Sequence, residues 1–233
     1  MRILGLVPAR GGSKGVPRKN IRILCGKPLL QYTAEAALQA TLLTQVVLST
    51  DDEEIARVGQ ECGLDVPFLR PASLANDYSP MVVVVQHALK TLAERGVEFD
   101  VVCLLQPTTP LRKARDIDAC INLLAYHRAD TVFTVLPIPS QYNPHWVYFQ
   151  NDQGCLYLST GESTPVSRRQ DLPPAFYREG SIYVSRTKVV LEQDSLYGQE
   201  LVGYPIDPDA SVNIDTLDDW ERAERMLGCS RDQ

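Results

Sequence analysis

Apolar residues along the chain alternate between short solid runs and longer stretches spaced at helical intervals. Ile3 to Pro8 is the first solid run. Pro28 to Ala40 is the first spaced stretch, with Leu29, Leu30, Thr33, Ala36, Ala37 and Ala40 on one helical face. The same reading predicts strands over Gln45–Thr50, Asp65–Leu69, Asp100–Leu105 and Thr131–Leu136. Between them it predicts helices starting at Asp51 and Asp52, over Pro80–Arg95 and over Ala114–His127. Solid runs suit strands buried on both faces, so this alternation predicts an α/β fold: a mostly parallel, doubly wound, Rossmann-like sheet with helices on both sides.

The rhythm breaks after Leu136. A proline-rich stretch follows, with no helical pattern and two short strand-like runs, His145–Gln150 and Cys155–Leu158, around an Asn-Asp-Gln-Gly turn. Residues 137–179 are therefore expected to form a small inserted β arm, and residues 1–136 and 180–233 a single α/β domain. A strand over Gly180–Val184, a short helix near Lys188, a strand over Leu201–Pro205 and a helix over Thr216–Leu227 complete that domain. At 233 residues it can bury a substantial core without covalent staples.

Composition narrows the class. The six cysteines form no CxxC pair, so a zinc ribbon or thioredoxin motif is excluded and free thiols in a reducing cytoplasm are expected. The apolar run at the N-terminus is too short for a signal peptide or a membrane span, which adds to the expectation of a cytoplasmic protein without a membrane partner. His87, His127 and His145 share no ligand spacing and read as structural. No Ser-His-Asp order or nucleophilic cysteine setting points to covalent catalysis.

Charge is more informative by its distribution than by its total. The net charge of −6 argues against a nucleic-acid partner, yet the first 34 residues hold seven Lys or Arg and no acid. Four of those cations lie in Ala9 to Asn20, ARGGSKGVPRKN, directly after the first strand. Gly11, Gly12 and Gly15 allow tight turns that present backbone N–H groups, while Arg10, Lys14, Arg18 and Lys19 supply charge with no acid close in sequence. This suits a polyphosphate, although neither GxxxxGK[ST] nor GxGxxG is present. A basic surface loop is the bland alternative.

At this loop the chain resembles the acylneuraminate cytidylyltransferases, or CMP-sialic acid synthetases, whose fold is of the nucleotidyltransferase type. Their first loop looks like PAR-GGSKG-[IVL]P-x-KN, which Pro8 to Asn20 follows. Four more blocks match in order: LRPASLAND at 69–77, LLQPTTPLR at 104–112, RRQDLPPAFYREGSIYV at 168–184 and SVNIDTLDDW at 211–220.

The resemblance implies roles block by block. The first loop would grip the CTP triphosphate, with Arg10, Lys14 and Lys19 as charge clamps, Gly11, Gly12 and Ser13 as backbone cradle and Asn20 as an auxiliary contact. Arg70, Asp77 and Ser79 correspond to the stretch that reads the nucleotide, where Tyr78 departs from the family pattern; a plain ion pair is the other reading of Arg70. Gln106, Thr108 and Thr109 would contact a nine-carbon acidic sugar, unless that loop is only a proline-stiffened turn. Arg169 and Gln170 would approach the sugar at a subunit boundary, near Glu179, where relatives carry Asn. Asp215 would hold Mg²⁺, with Asn213 replacing a second Asp; a helix N-terminal cap is its alternative reading. The arm would make a homodimer, with Tyr142, Trp146, Tyr148, Phe149 and Tyr157 as anchors.

The implied reaction is attack by an anomeric hydroxyl on the α-phosphate of CTP. Arg10, Lys14, Lys19 and Asp215 would stabilise it, since fixed charges suit developing charge on transferring phosphorus. Two other classes remain open. Asp207 and Asp209 could mimic the DxD of a metal-dependent glycosyltransferase, although no clear core strand with a nucleotide loop precedes them, and an inactive nucleotide-binding module would keep the loop without turnover.

Overall fold

The computed structural model describes residues 1–229. In chain order its elements are β1 (Ile3–Pro8), β2 (Ile23–Leu24), β3 (Lys27–Pro28), α1 (Leu29–Gln39), β4 (Gln45–Ser49), α2 (Glu53–Glu61), α3 (Met81–Glu94), β5 (Val101–Leu104), α4 (Ala114–Tyr126), β6 (Thr131–Pro137), β7 (Tyr148–Gln150), β8 (Leu156–Leu158), β9 (Phe176–Arg186), α5 (Thr187–Glu192), β10 (Leu201–Pro205) and α6 (Leu217–Met226). Six strands form one sheet in the order β10-β6-β9-β5-β1-β4. Neighbours run parallel except β9, which is antiparallel to both β5 and β6.

Side-chain alternation along the central strands sorts the core into two layers. Ile3 and Val7 of β1 and Val101 and Cys103 of β5 face α1 and α4, packing on Leu30, Ala34, Ala37, Ile117, Ile121 and Leu124. Leu4 and Leu6 of β1 and Val102 and Leu104 of β5 face α3, packing on Val85, Ala88, Leu89 and Leu92. A sheet covered on both faces presents its ligand-binding crevice at the carboxyl ends of its strands. From β1 the chain moves outward to β4 and later returns to β5 on the other side, so loops leaving β1 and β5 diverge above a switch point. The basic loop follows β1, and Gln106 follows β5.

Several expectations are corrected. The strand expected at Asp65–Leu69 reduces to one parallel bridge, Val47 to Asp65, because Pro67 has no N–H to extend a ladder. The strand expected at Gly180–Val184 spans Phe176–Arg186, so the last residues assigned to the arm pair with β6 in the main sheet. Gly180, at φ 96, supports this through a register shift that no ordinary side chain would favour. The arm is otherwise a hairpin of β7 and β8 with short helical turns. The six cysteines are not all free: Cys25 and Cys229 are joined in a disulfide, their Cα atoms 5.7 Å apart, while Cys62, Cys103, Cys120 and Cys155 are free. No spacing motif could signal a pair 204 residues apart; the cluster around Leu24 and Trp220 brings the two ends together. Among the described residues no helix is long and apolar enough to cross a membrane.

Candidate active site

A cleft of about 370 Å³ opens at the switch point. Its walls come from the loop after β1 (Arg10, Ser13, Lys14, Gly15, Lys19, Asn20), the segment before α3 (Arg70, Asn76, Asp77, Ser79), the loop after β5 (Gln106, Thr108) and the approach to α6 (Asp215). Residues from four of the five matching blocks thus meet in one cavity.

The basic loop is held by contacts at both its ends. Asn20, 5% exposed, donates from Nδ2 to the Arg10 carbonyl at 3.0 Å, so it braces the loop from beneath. The Gly11 N–H donates to Asp51 Oδ1 at 3.2 Å, and the Ser13 N–H to the Gly11 carbonyl at 3.1 Å. Gly11 and Gly12 do not themselves line the cleft. Gly15 is dictated by close approach, since a Cβ there would overlap the carbonyl of Asp215.

The loop cations have acids to neutralise them, which their sequence neighbourhood did not show. Arg10 Nη2 lies 2.5 Å from Asp77 Oδ1, and Lys14 pairs with the other oxygen of the same carboxylate. Those two cations, Lys14 foremost, hold the Asp77 carboxyl below its usual range. Lys19 Nζ donates to the Ile214 carbonyl at 2.6 Å and to Asp215 Oδ1 at 3.1 Å. Arg18 turns outward instead, to Asp52 at 2.7 Å and to Glu54.

Opposite the loop, Arg70 is 5% exposed and its backbone N–H donates to the Thr50 carbonyl at 2.7 Å. Its Nη2 lies 3.5 Å from Asp51 Oδ1, and its Nε is buried with no hydrogen-bond partner among the described residues. Burial pulls the guanidinium below its ordinary pKa, and Asp51 opposes that. Arg70 pairs with an acid and also lines the cleft. Asp51 is the residue the sequence reading missed, because a Thr-Asp-Asp at a helix start reads as capping; Asp52 is indeed the N-cap of α2. Tyr78 stands at the rim, 92% exposed.

The loop after β5 divides its hydroxyls. Thr108 Oγ1 is buried in the cleft wall without a partner among the described residues, whereas Thr109 faces away, donating to the Gln106 carbonyl at 3.1 Å and accepting from buried Arg112 at 2.5 Å. Thr109 therefore fixes the turn that presents Gln106. Arg169 and Gln170 lie in an exposed turn of the arm, outside this chain's cleft. Glu179 is also outside it, accepting from the Ser181 N–H and the Ser211 hydroxyl at 2.8 Å each.

Asp215 is not a helix cap. That role belongs to Thr216, in a reciprocal capping box with Asp219. The box leaves Asp215 facing the cleft, its Oδ2 accepting from Asn213 Nδ2 at 2.6 Å. Asp207, by contrast, accepts from the Asp209 N–H at 3.0 Å in a turn of its own. It does follow a sheet strand, edge strand β10, but lines a separate cavity of about 240 Å³ beside α4. Neither aspartate of the DxD string lines the cleft that the basic loop lines, which removes the basis of the glycosyltransferase alternative.

Residues 4–202 match the cytidylyltransferase family. The chain belongs to that family. Among the relatives of this cytidylyltransferase, the CMP-N,N'-diacetyllegionaminic acid synthase of Legionella pneumophila is 35% identical over 97% of each chain. The pseudaminic acid cytidylyltransferase of Campylobacter jejuni is 33% identical over 96% of this chain and 95% of the relative. N-acylneuraminate cytidylyltransferase A of Danio rerio is 31% identical over 97% of this chain and 50% of that protein. In fold, the cytidylyltransferase is similar to a CMP:2-keto-3-deoxy-manno-octonic acid synthetase complexed with CTP, with a TM-score of 0.72 and 18% identity over 98% of this chain and 99% of that one.

Proposed function

We propose that this cytidylyltransferase activates a nonulosonic acid, converting CTP and the free sugar into CMP-sugar and pyrophosphate. The observation that carries the reading is the meeting of Arg10, Lys14 and Lys19 with Arg70, Gln106 and Asp215 around one cleft at the sheet's switch point. The anomeric hydroxyl oxygen forms a bond to the α-phosphorus of CTP as the bond to the bridging oxygen breaks; pyrophosphate leaves with the electron pair, and the hydroxyl proton is released to solvent water. No protein nucleophile is required. Lys14 and Arg10 exchange Asp77 for phosphate oxygens, and fixed charge there stabilises the departing pyrophosphate. Gln106 and the Thr108 hydroxyl, which has no partner among the described residues, offer polar contacts to a polyol.

Asp215 fits a Mg²⁺ ion held jointly with nucleotide phosphates. Its carboxylate faces the cleft, 65% exposed, and two hydrogen-bonding neighbours fix its orientation without consuming every lone pair. Among the described residues no group of three or more His, Cys, Asp or Glu side chains is placed to hold a metal ion. When bound, the ion would neutralise phosphate charge. The homodimer belongs to the same reading: it would bring the exposed turn of Arg169 and Gln170 to a neighbouring cleft.

The test is pyrophosphate release from CTP over a panel of sialic, legionaminic and pseudaminic acids, with Asp215→Asn alongside. One sugar should support turnover, with CTP favoured over UTP, and Asp215→Asn should lower kcat by about 10²-fold or more. No turnover with any sugar would favour the inactive binding module. Near-normal kcat in Asp215→Asn would remove the metal role.

A further inference from the structure

Asp51 is absent from the cleft wall, yet two parts of the wall converge on it. The residue leaves the carboxyl end of β4, where Ser49 accepts from the Ala9 N–H at 3.0 Å and Thr50 from the Arg70 N–H at 2.7 Å. These backbone bonds bring the start of the basic loop and the Arg70 segment to either side of one carboxylate. A single oxygen, Oδ1, then accepts from the Gly11 N–H at 3.2 Å and lies 3.5 Å from Arg70 Nη2. The Arg70 side chain is 3% exposed and its Nε has no partner among the described residues. A guanidinium this deeply buried needs a counter-charge to hold it in one place.

A guanidinium carries donors only. Cytosine presents two adjacent acceptors, N3 and O2, to such a group, whereas uracil replaces the first with an N–H. Selection between the two bases then depends on where the arginine's donors point.

We propose that Asp51 is a positioning residue for base selection, holding the Arg70 guanidinium aimed at cytosine while tying it, through the same oxygen, to the phosphate loop at Gly11. The proposal rests on the reading of the cleft as a CTP site. It makes Asp51 act on specificity through Arg70 and on loop geometry through Gly11, and the two effects are separable.

The experiment measures kcat/KM for CTP and for UTP in the wild type, Asp51→Ala, Asp51→Asn, Arg70→Ala and the Asp51→Ala/Arg70→Ala double variant, with melting curves for each. Asp51→Ala should lower the CTP-to-UTP ratio by about tenfold or more. Asp51→Asn keeps an acceptor for Gly11 but offers Arg70 no charge, and should lower the ratio as well. In the Arg70→Ala background, removing Asp51 should leave the ratio unchanged, because its route to the base is gone. An intact ratio in both Asp51 variants, or an equal drop with and without Arg70, overturns the proposal. If Asp51→Ala fails to fold, Asp51→Asn decides by the same criterion. A wild type with no preference for CTP would instead overturn the reading on which the proposal rests.

Discussion

Arg10, Lys14 and Lys19 are ion-paired within the chain, the first two to Asp77 and the third to Asp215. Acids brought from distant blocks keep like charges from repelling one another, and an incoming polyanion must displace them. Asp77 therefore competes with phosphate. Asp77→Asn should strengthen inhibition by inorganic tripolyphosphate several-fold, an effect that shrinks at high salt because the pairs are solvent-exposed. Tripolyphosphate has no base or ribose, so any role of Asp77 toward those groups does not enter. An inhibition constant that is unchanged or weaker would show that Asp77 does not act as the loop's counterion. At this scale the cation set was legible in the sequence, since Arg10, Lys14 and Lys19 lie within one short loop. Their partners were not, because Asp77 and Asp215 lie 67 and 196 residues away from Arg10 and Lys19.

At the level of elements, the cleft depends on three loops in contact, the one after β1, the one after β5 and the one before α6. Lys19 reaches the Ile214 carbonyl, the Ile214 N–H reaches the Thr108 carbonyl at 2.8 Å, and Gly15 lies against the Asp215 backbone. A methyl group at Gly15 would have to push that backbone away, whereas one at Gly12 meets nothing within 4 Å. Gly15→Ala should therefore destabilise the fold by about 1–3 kcal/mol and lower kcat, while Gly12→Ala changes both little. Matching melting temperatures and rates for the two variants would reject the contact. Helices α1, α3 and α4 were readable to within a residue or two from their apolar spacing. The direction of β9 was not, since a strand buried on both faces looks the same run either way. The ribbon of β2 and β3 was missed because two-residue strands carry no period.

On the scale of the whole molecule, the hairpin of β7 and β8 stands out for the apolar surface it exposes. Tyr148, Phe149, Leu156 and Tyr157 are 45–66% exposed, and Tyr142 is exposed nearby. Of the expected anchors, Trp146 differs from Tyr142, Tyr148, Phe149 and Tyr157, since its Nε1 donates to the Val166 carbonyl at 2.6 Å and so is used within the arm. Sedimentation should give a dimer for the wild type and a shift toward monomer for Phe149→Asp, because a carboxylate would be desolvated in an apolar interface. A monomeric wild type would reject the proposed assembly. By itself the sequence determined the α/β class, the strands and helices with strong periodicity, and the glycine-rich basic loop, because these are properties of neighbouring residues. Only the tertiary structure decided that Asp77 and Asp215 neutralise that loop, that Asp51 joins it to Arg70, that Thr109 turns inward while Thr108 lines the cleft, and that Cys25 meets Cys229. Apart from the Thr109 turn, whose partners Gln106 and Arg112 are three residues away, these are contacts between separate segments of the chain, and such contacts are set by sheet order and packing, which local spacing does not encode.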